Sequence, residues 1–131
     1  MPSTPIADSK APMATDTKPD CVFCHVRDQW SSAKWVWEDD IAFAIEDIAP
    51  QAPVHLPVIP REHVSTLNEV KDGGGALVGH LFEIAARLAN QRGIAESGWR
   101  AVINCNGDGH QTVFHLHLHV MGGRSLGWPP G

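Results

Sequence analysis

From His115 onward, polar and apolar positions alternate strictly: His-Leu-His-Leu-His-Val-Met. Successive side chains of an extended strand point to opposite faces. The pattern therefore predicts a strand over residues 113–121, with His115, His117 and His119 on one face and Leu116, Leu118 and Val120 on the other. Same-face neighbours would stand about 6.6 Å apart along it. Residues 34–38 and 41–46 are β-prone runs separated by Asp39-Asp40, a turn pair suited to a hairpin. Residues 55–60 and 101–105 read as two more strands, while Pro50 and Pro53 keep 48–53 a loop.

The helical period is longest over residues 76–91, where Leu77, Val78, Leu81, Ile84, Ala85 and Leu88 make one apolar stripe. Glycines 73–75 break regular structure before it, and Gly93 sits where a C-terminal cap is expected. A short amphipathic turn or helix is expected over residues 22–29. Strands joined by short turns, with one long helix inserted, predict an antiparallel α+β domain rather than a βαβ fold.

The 131 residues suffice for one domain, and a formal charge of −5 argues against non-specific binding to nucleic acid or anionic membrane. No apolar run approaches the roughly 20 residues that cross a bilayer. Residues 1–20 are rich in Pro, Ser, Thr and Ala and lack the apolar core of an export signal, so they read as a disordered tail ahead of a domain at 21–131. Three cysteines without an export signal suggest a reducing cytoplasm, with the nucleus also open in a eukaryote.

Burying three imidazoles requires a partner for every ring nitrogen, which makes the histidine row a candidate site. Metal binding and imidazole attack on phosphorus are the competing chemistries. The preceding segment, Gly107-Asp108-Gly109-His110-Gln111-Thr112, offers backbone N–H groups, an amide and a hydroxyl suited to phosphate oxygens and a leaving group, and so favours phosphorus. Cys21-x-x-Cys24 is half of a metal site.

Together His115 to Met121, Asp47 to His55, Val58 to His63 and the ending Trp128-Pro129-Pro130-Gly131 resemble the histidine-triad superfamily, its nucleotide-binding (Hint) branch in particular. The resemblance covers residues 21–131. It implies a five-stranded antiparallel sheet with one long and one short helix, the sheet extended across a homodimer. It also implies hydrolysis of purine nucleoside 5′-phosphoramidates (of AMP or GMP) and aminoacyl-adenylates through a nucleotidyl-histidine intermediate. Carried over, His117 is the nucleophile, His119 contacts the phosphate, and His115 forms a relay with His55. Thr112 stands near the leaving nitrogen, Asn104 and Gln111 beside the phosphate, and Asp47 accepts the ribose hydroxyls. Val22, Phe23, Val26, Ile45 and Ile48 wall the base, while Trp128 reaches toward the partner's site. In some bacterial members a structural zinc takes the two thiols and two histidines, which match Cys21, Cys24, His55 and His115; catalysis itself needs no metal.

Two departures stand out. His110 replaces a usual glycine, which matters if the backbone there needs positive φ. Glu46 adds negative charge beside Asp47. Rival functions are a nucleotide-binding interaction or regulatory protein with little turnover, and a zinc-organised structural module. Dinucleoside polyphosphate hydrolysis fits less well, because that branch lacks the Trp-Pro-Pro-Gly ending.

Overall fold

The computed structural model describes residues 18–29 and 32–131, so the tail expected over residues 1–20 lies outside the described residues as far as residue 17. Helix α1 is Val22–Gln29, followed by strands β1 (Trp35–Glu38), β2 (Ala42–Ile45) and β3 (Val54–Pro60). A 3-10 turn at Leu67–Glu69 leads to helix α2 (Gly75–Gln91), then β4 (Trp99–Val102) and β5 (Leu118–Gly122). The strands form one sheet in the order β1-β2-β3-β5-β4, with every adjacent pair antiparallel.

Alternation along the strands divides the apolar residues between two faces. Ala42, Ala44, Leu56, Val58, Leu118 and Val120 meet Leu81, Ile84, Ala85 and Leu88 of α2 in the larger core. Fully burying one such leucine or isoleucine contributes about 2 kcal/mol. Phe43, Ile45 and Ile59 point the other way and pack with Val26 of α1. The second face is thinly covered, and the site lies there.

The ends of these elements have local causes. Asp39 Oδ1 accepts the backbone N–H groups of Ile41 and Ala42, each at 2.8 Å, which turns β1 into β2 as the Asp39-Asp40 pair predicts. At the end of α2, Gly93 has φ +75°, its N–H donates to Asn90 O (3.2 Å), and Ile94 N–H donates to Ala89 O (3.0 Å). This double bond satisfies two terminal carbonyls, and Ile94 is buried in the core beside it.

The last strand is shorter than its alternation predicts. It pairs from Leu118 onward, and residues 113–117 lie outside the ladder. Pro60 lacks an N–H to donate, its carbonyl accepts His115 Nε2–H (2.8 Å), and the Leu116 N–H goes instead to Val64 O. The inward face persists without the ladder, since Leu116 is buried with Leu118 and Val120.

Candidate active site and thiol–imidazole cluster

A cavity of about 370 Å³ opens on the thinly covered face. One wall is apolar, built by Val22, Phe23 and Val26 of α1 with Ile45 and Ile48. Asp47, Thr112, His117 and His119 line it as well, and the Asp47 carboxylate lies within 4.8 Å of a His119 ring nitrogen. These expected site residues come from three separate stretches of chain, 22–26, 45–48 and 112–119, and the fold brings them together.

Hydrogen bonds fix which ring nitrogens carry protons. His117 Nδ1–H donates to the backbone carbonyl of His115 at 2.7 Å, so its Nε2 keeps a free lone pair. The ring is held edge-on by Phe23, with centroids 5.1 Å apart. Gln51 N–H donates to His55 Nδ1 (2.9 Å), leaving the proton on His55 Nε2, which donates to His119 Nδ1 (2.8 Å). Neutral His119 therefore carries its proton on Nε2, as a donor on the cavity wall. Asp47 Oδ2 lies 3.4 Å from His55 Nε2, and its Oδ1 accepts the Ala49 N–H at 2.8 Å.

Burial pushes His117, His119 and His55 below the ordinary imidazole value, His119 to about 4, where neighbouring His117 and His55 add to the effect. Asp47 partly opposes the shift in all three. The site thus holds neutral imidazoles at neutral pH. For His119 the folded value lies below the unfolded value of 6.5. Its contribution to stability is complete above pH 6.5 and is lost as pH falls toward 4. The Tm of the native protein should therefore fall more steeply between pH 7.5 and 4.5 than that of His119→Gln, in thermal melts of both. Parallel curves would contradict this.

Cys21 Sγ, Cys24 Sγ, His115 Nδ1 and His63 Nδ1 converge behind the cavity, all within 4.8 Å of one another. His115 Nδ1 is 3.2 Å from Cys21 Sγ, 3.7 Å from Cys24 Sγ and 3.1 Å from His63 Nδ1. The expected set of Cys21, Cys24, His55 and His115 is thus corrected: His63 takes the fourth position, and His55 bonds Gln51 and His119. The expected relay between His55 and His115 is not formed either. Register is the reason. Antiparallel pairing sets His119 opposite Pro57 and Leu118 opposite Val58. Continued, it places His115 level with Arg61, close to His63 and far along the strand from His55. His63 is identifiable as a member of this cluster only through that register.

Three of the residues expected to contact the nucleotide lie outside the cavity lining. The Gln111 amide is spent bracing the loop: its Oε1 accepts Asn106 N–H (2.9 Å) and its Nε2 donates to Ser65 O (2.8 Å) and Val113 O (3.0 Å). Asn104 is half-buried outside the lining, and Trp128 is 84% exposed. His110 does adopt the left-handed region, at φ +65°, with its side chain exposed. At Gly109 a Cβ would come within 2.6 Å of Cys105 O, so only glycine fits.

A central row of histidines at the end of a five-stranded antiparallel sheet defines the histidine-triad class. The HIT-domain model matches residues 29–126, and the chain belongs to that family. It is 46% identical over 112 residues to an uncharacterized HIT-like protein of Synechococcus elongatus, covering 86% of this chain and 97% of that one. It is 44% identical over 92 residues to the purine nucleoside phosphoramidase of Escherichia coli, covering 70% of this chain and 77% of that one. Among solved structures, a HIT family hydrolase from Legionella pneumophila superposes with a TM-score of 0.82 at 43% identity, covering 86% of this chain and all of the other. No helix among the described residues is long and apolar enough to cross a membrane.

Proposed function

We propose that this protein is a hydrolase of purine nucleoside 5′-phosphoramidates, adenosine preferred, acting through a covalent nucleotidyl-His117 intermediate. One observation carries the reading: the His117 Nδ1 proton is tied to a backbone carbonyl, so its neutral Nε2 is available as a nucleophile in the cavity. The name of the E. coli relative supports the same class of substrate.

In this reading the base lies against Val22, Phe23, Val26, Ile45 and Ile48, and the Asp47 carboxylate accepts the ribose diol. The substrate's phosphate favours the imidazolium form of the adjacent His119, whose second proton comes from solvent, with the His55 Nε2–H then turned to Asp47 Oδ2, 3.4 Å away. His117 Nε2 attacks phosphorus; the Nε2–P bond forms as the P–N bond breaks. The departing nitrogen takes the His119 proton, passed through the Thr112 hydroxyl. Water then attacks phosphorus and yields a proton to His119, and the new O–P bond displaces Nε2. The products are the free amine and the nucleoside monophosphate. Because Nδ1–H is retained throughout, the adduct is cationic, and the His115 carbonyl stabilises it.

Cys21, Cys24, His63 and His115 would hold a structural zinc in this reading. Two sulfurs and two imidazole nitrogens suit tetrahedral zinc, whose ligand–ligand edges run about 3.4–3.8 Å; the observed contacts of 3.1–3.7 Å are close to that. The His115 Nε2 proton is committed to Pro60 O, so its Nδ1 lone pair faces the cluster. A zinc-thiolate set fits the reducing cytoplasm, where we place the protein. We also propose a homodimer. Strand β4 is a sheet edge that a second copy can extend, and exposed Trp128 would lie over the partner's cavity.

The test mixes protein with adenosine 5′-phosphoramidate, quenches in alkaline denaturant within one turnover, and measures intact mass. One added AMP per chain, mapped to His117, is the expected result. A folded protein that binds AMP but shows neither adduct nor turnover is instead a nucleotide-binding regulatory protein.

A further inference from the structure

The direction of the hydrogen bond between His55 and His119 depends on one backbone group. Gln51 N–H donates to His55 Nδ1 (2.9 Å), which keeps the ring proton on Nε2 and turns it toward His119 Nδ1 (2.8 Å). The His119 proton is thereby held on Nε2, on the cavity wall. With the Gln51 N–H turned away, the His55 proton would be free to move to Nδ1. The bond between the rings would then reverse, and His119 Nε2 would carry a lone pair in place of a proton. The state of that nitrogen thus follows the placement of one peptide unit in an exposed loop.

What holds the loop is the segment that follows β5. Arg124 donates to the Gln51 carbonyl from both Nε (3.3 Å) and Nη2 (3.0 Å), across 73 residues of sequence, while its Nη1 donates to Ser125 O (3.0 Å). Gln51 is braced within the loop as well, its Nε2 donating to Ala49 O (3.0 Å). Val54 pairs with Gly122 at the end of the ladder, so the loop and the tail leave the sheet side by side. Gly123, at φ +93°, lets them touch: a Cβ there would stand 2.9 Å from Pro53 Cβ and push the two apart. We propose that Arg124 is a positioning residue for the reaction: by holding the Gln51 carbonyl it keeps the Gln51 N–H on His55, and so keeps the His119 proton on the nitrogen that faces the cavity. Its catalytic consequence rests on the phosphoramidase reading above; the tautomer does not. Arg124 stands outside the cavity lining and acts through Gln51. With substrate bound and both His119 nitrogens protonated, the same contact keeps the His55 proton on Nε2, facing Asp47 Oδ2 at 3.4 Å.

The experiment records two-bond proton–nitrogen NMR spectra of the imidazole rings, which separate protonated from unprotonated ring nitrogens. Native protein, Arg124→Ala, Arg124→Lys and Arg100→Ala are compared, with His55→Gln and His119→Gln assigning the signals. Arg100 is the control, because it tethers the same tail through Gly127 O (2.7 Å) rather than through Gln51. Native protein should carry the His55 proton on Nε2 alone. Arg124→Ala should add the Nδ1–H tautomer and lower kcat for adenosine 5′-phosphoramidate about fivefold, with AMP affinity by calorimetric titration held within about twofold, as fits the loss of an exposed charge-assisted contact. Arg124→Lys should restore both, since an ammonium still donates to the carbonyl. Arg100→Ala should keep the native ring spectrum. A native spectrum in Arg124→Ala, or the same altered spectrum in Arg100→Ala, overturns the positioning role. A loss of AMP affinity equal to the loss of kcat marks a general loosening of the site and overturns it too. Absence of turnover in the native protein removes the phosphoramidase reading instead, and the ring spectra then decide the tautomer by themselves.

Discussion

His117→Ala should lower kcat for adenosine phosphoramidate by about 10⁴-fold or more and leave no nucleotidyl adduct. Losing the nucleophile of a covalent mechanism removes the step rather than weakening it, and residual rate comes only from binding and positioning. The fold should survive the change. The variant leaves the His115 carbonyl without its ring donor, at a cost of about 1–3 kcal/mol. A domain of this kind has about 5–15 kcal/mol to lose. AMP affinity should move only a few-fold, because Asp47 and the apolar wall remain. Steady-state kinetics, calorimetric titration with AMP and a thermal melt on the same preparation separate these contributions. Turnover within tenfold of the native rate would remove His117 from the nucleophile's role.

Cys24→Ser should lower the Tm by about 10–20 °C and abolish metal content, with Cys105→Ser, outside the cluster, as the control. Losing a structural metal ligand belongs to the few single changes that cost about 4 kcal/mol or more, and in a domain this size each kilocalorie moves Tm by several degrees. Cys24 is fully buried, and its Sγ lies 3.3 Å from His63 Nδ1 and 3.7 Å from His115 Nδ1. One zinc per native chain by elemental analysis, and a matching loss of Tm on chelation, complete the expectation. The corrected ligand set makes a sharper comparison: His63→Gln should lose zinc, whereas His55→Gln should keep zinc and lose activity. Full metal content in His63→Gln would return the fourth ligand to another residue.

Much of this architecture is written in local patterns. The stripe from Leu77 to Leu88 predicts α2 to within a residue, and Gly93 caps it as read. The alternation around the triad predicts which of its side chains enter the core, and Asp39 turns the hairpin where the acidic pair stands. These features depend on residues a few positions apart, whose geometry the backbone period dictates. The left-handed backbone at His110 was likewise readable, as a side chain where glycine is usual.

Other features needed the assembled sheet. The spacing of the histidines gives no sign that pairing stops at Leu118; that follows from Pro60 on the neighbouring strand. Nor can the Gln111 side chain show by itself that its amide is claimed by Ser65, 46 residues away. The thiols illustrate the division most clearly. Cys21-x-x-Cys24 and the triad announce a metal half-site and a catalytic row, but His55 and His63 are equally plausible partners by residue type. The antiparallel register decides between them, because it runs the two strands in opposite directions and so sends His119 to His55 and His115 to His63. Sequence alone named the two thiols, the triad and His55 as candidates; strand pairing, a contact between segments some sixty residues apart, decided which of them meet and brought in His63.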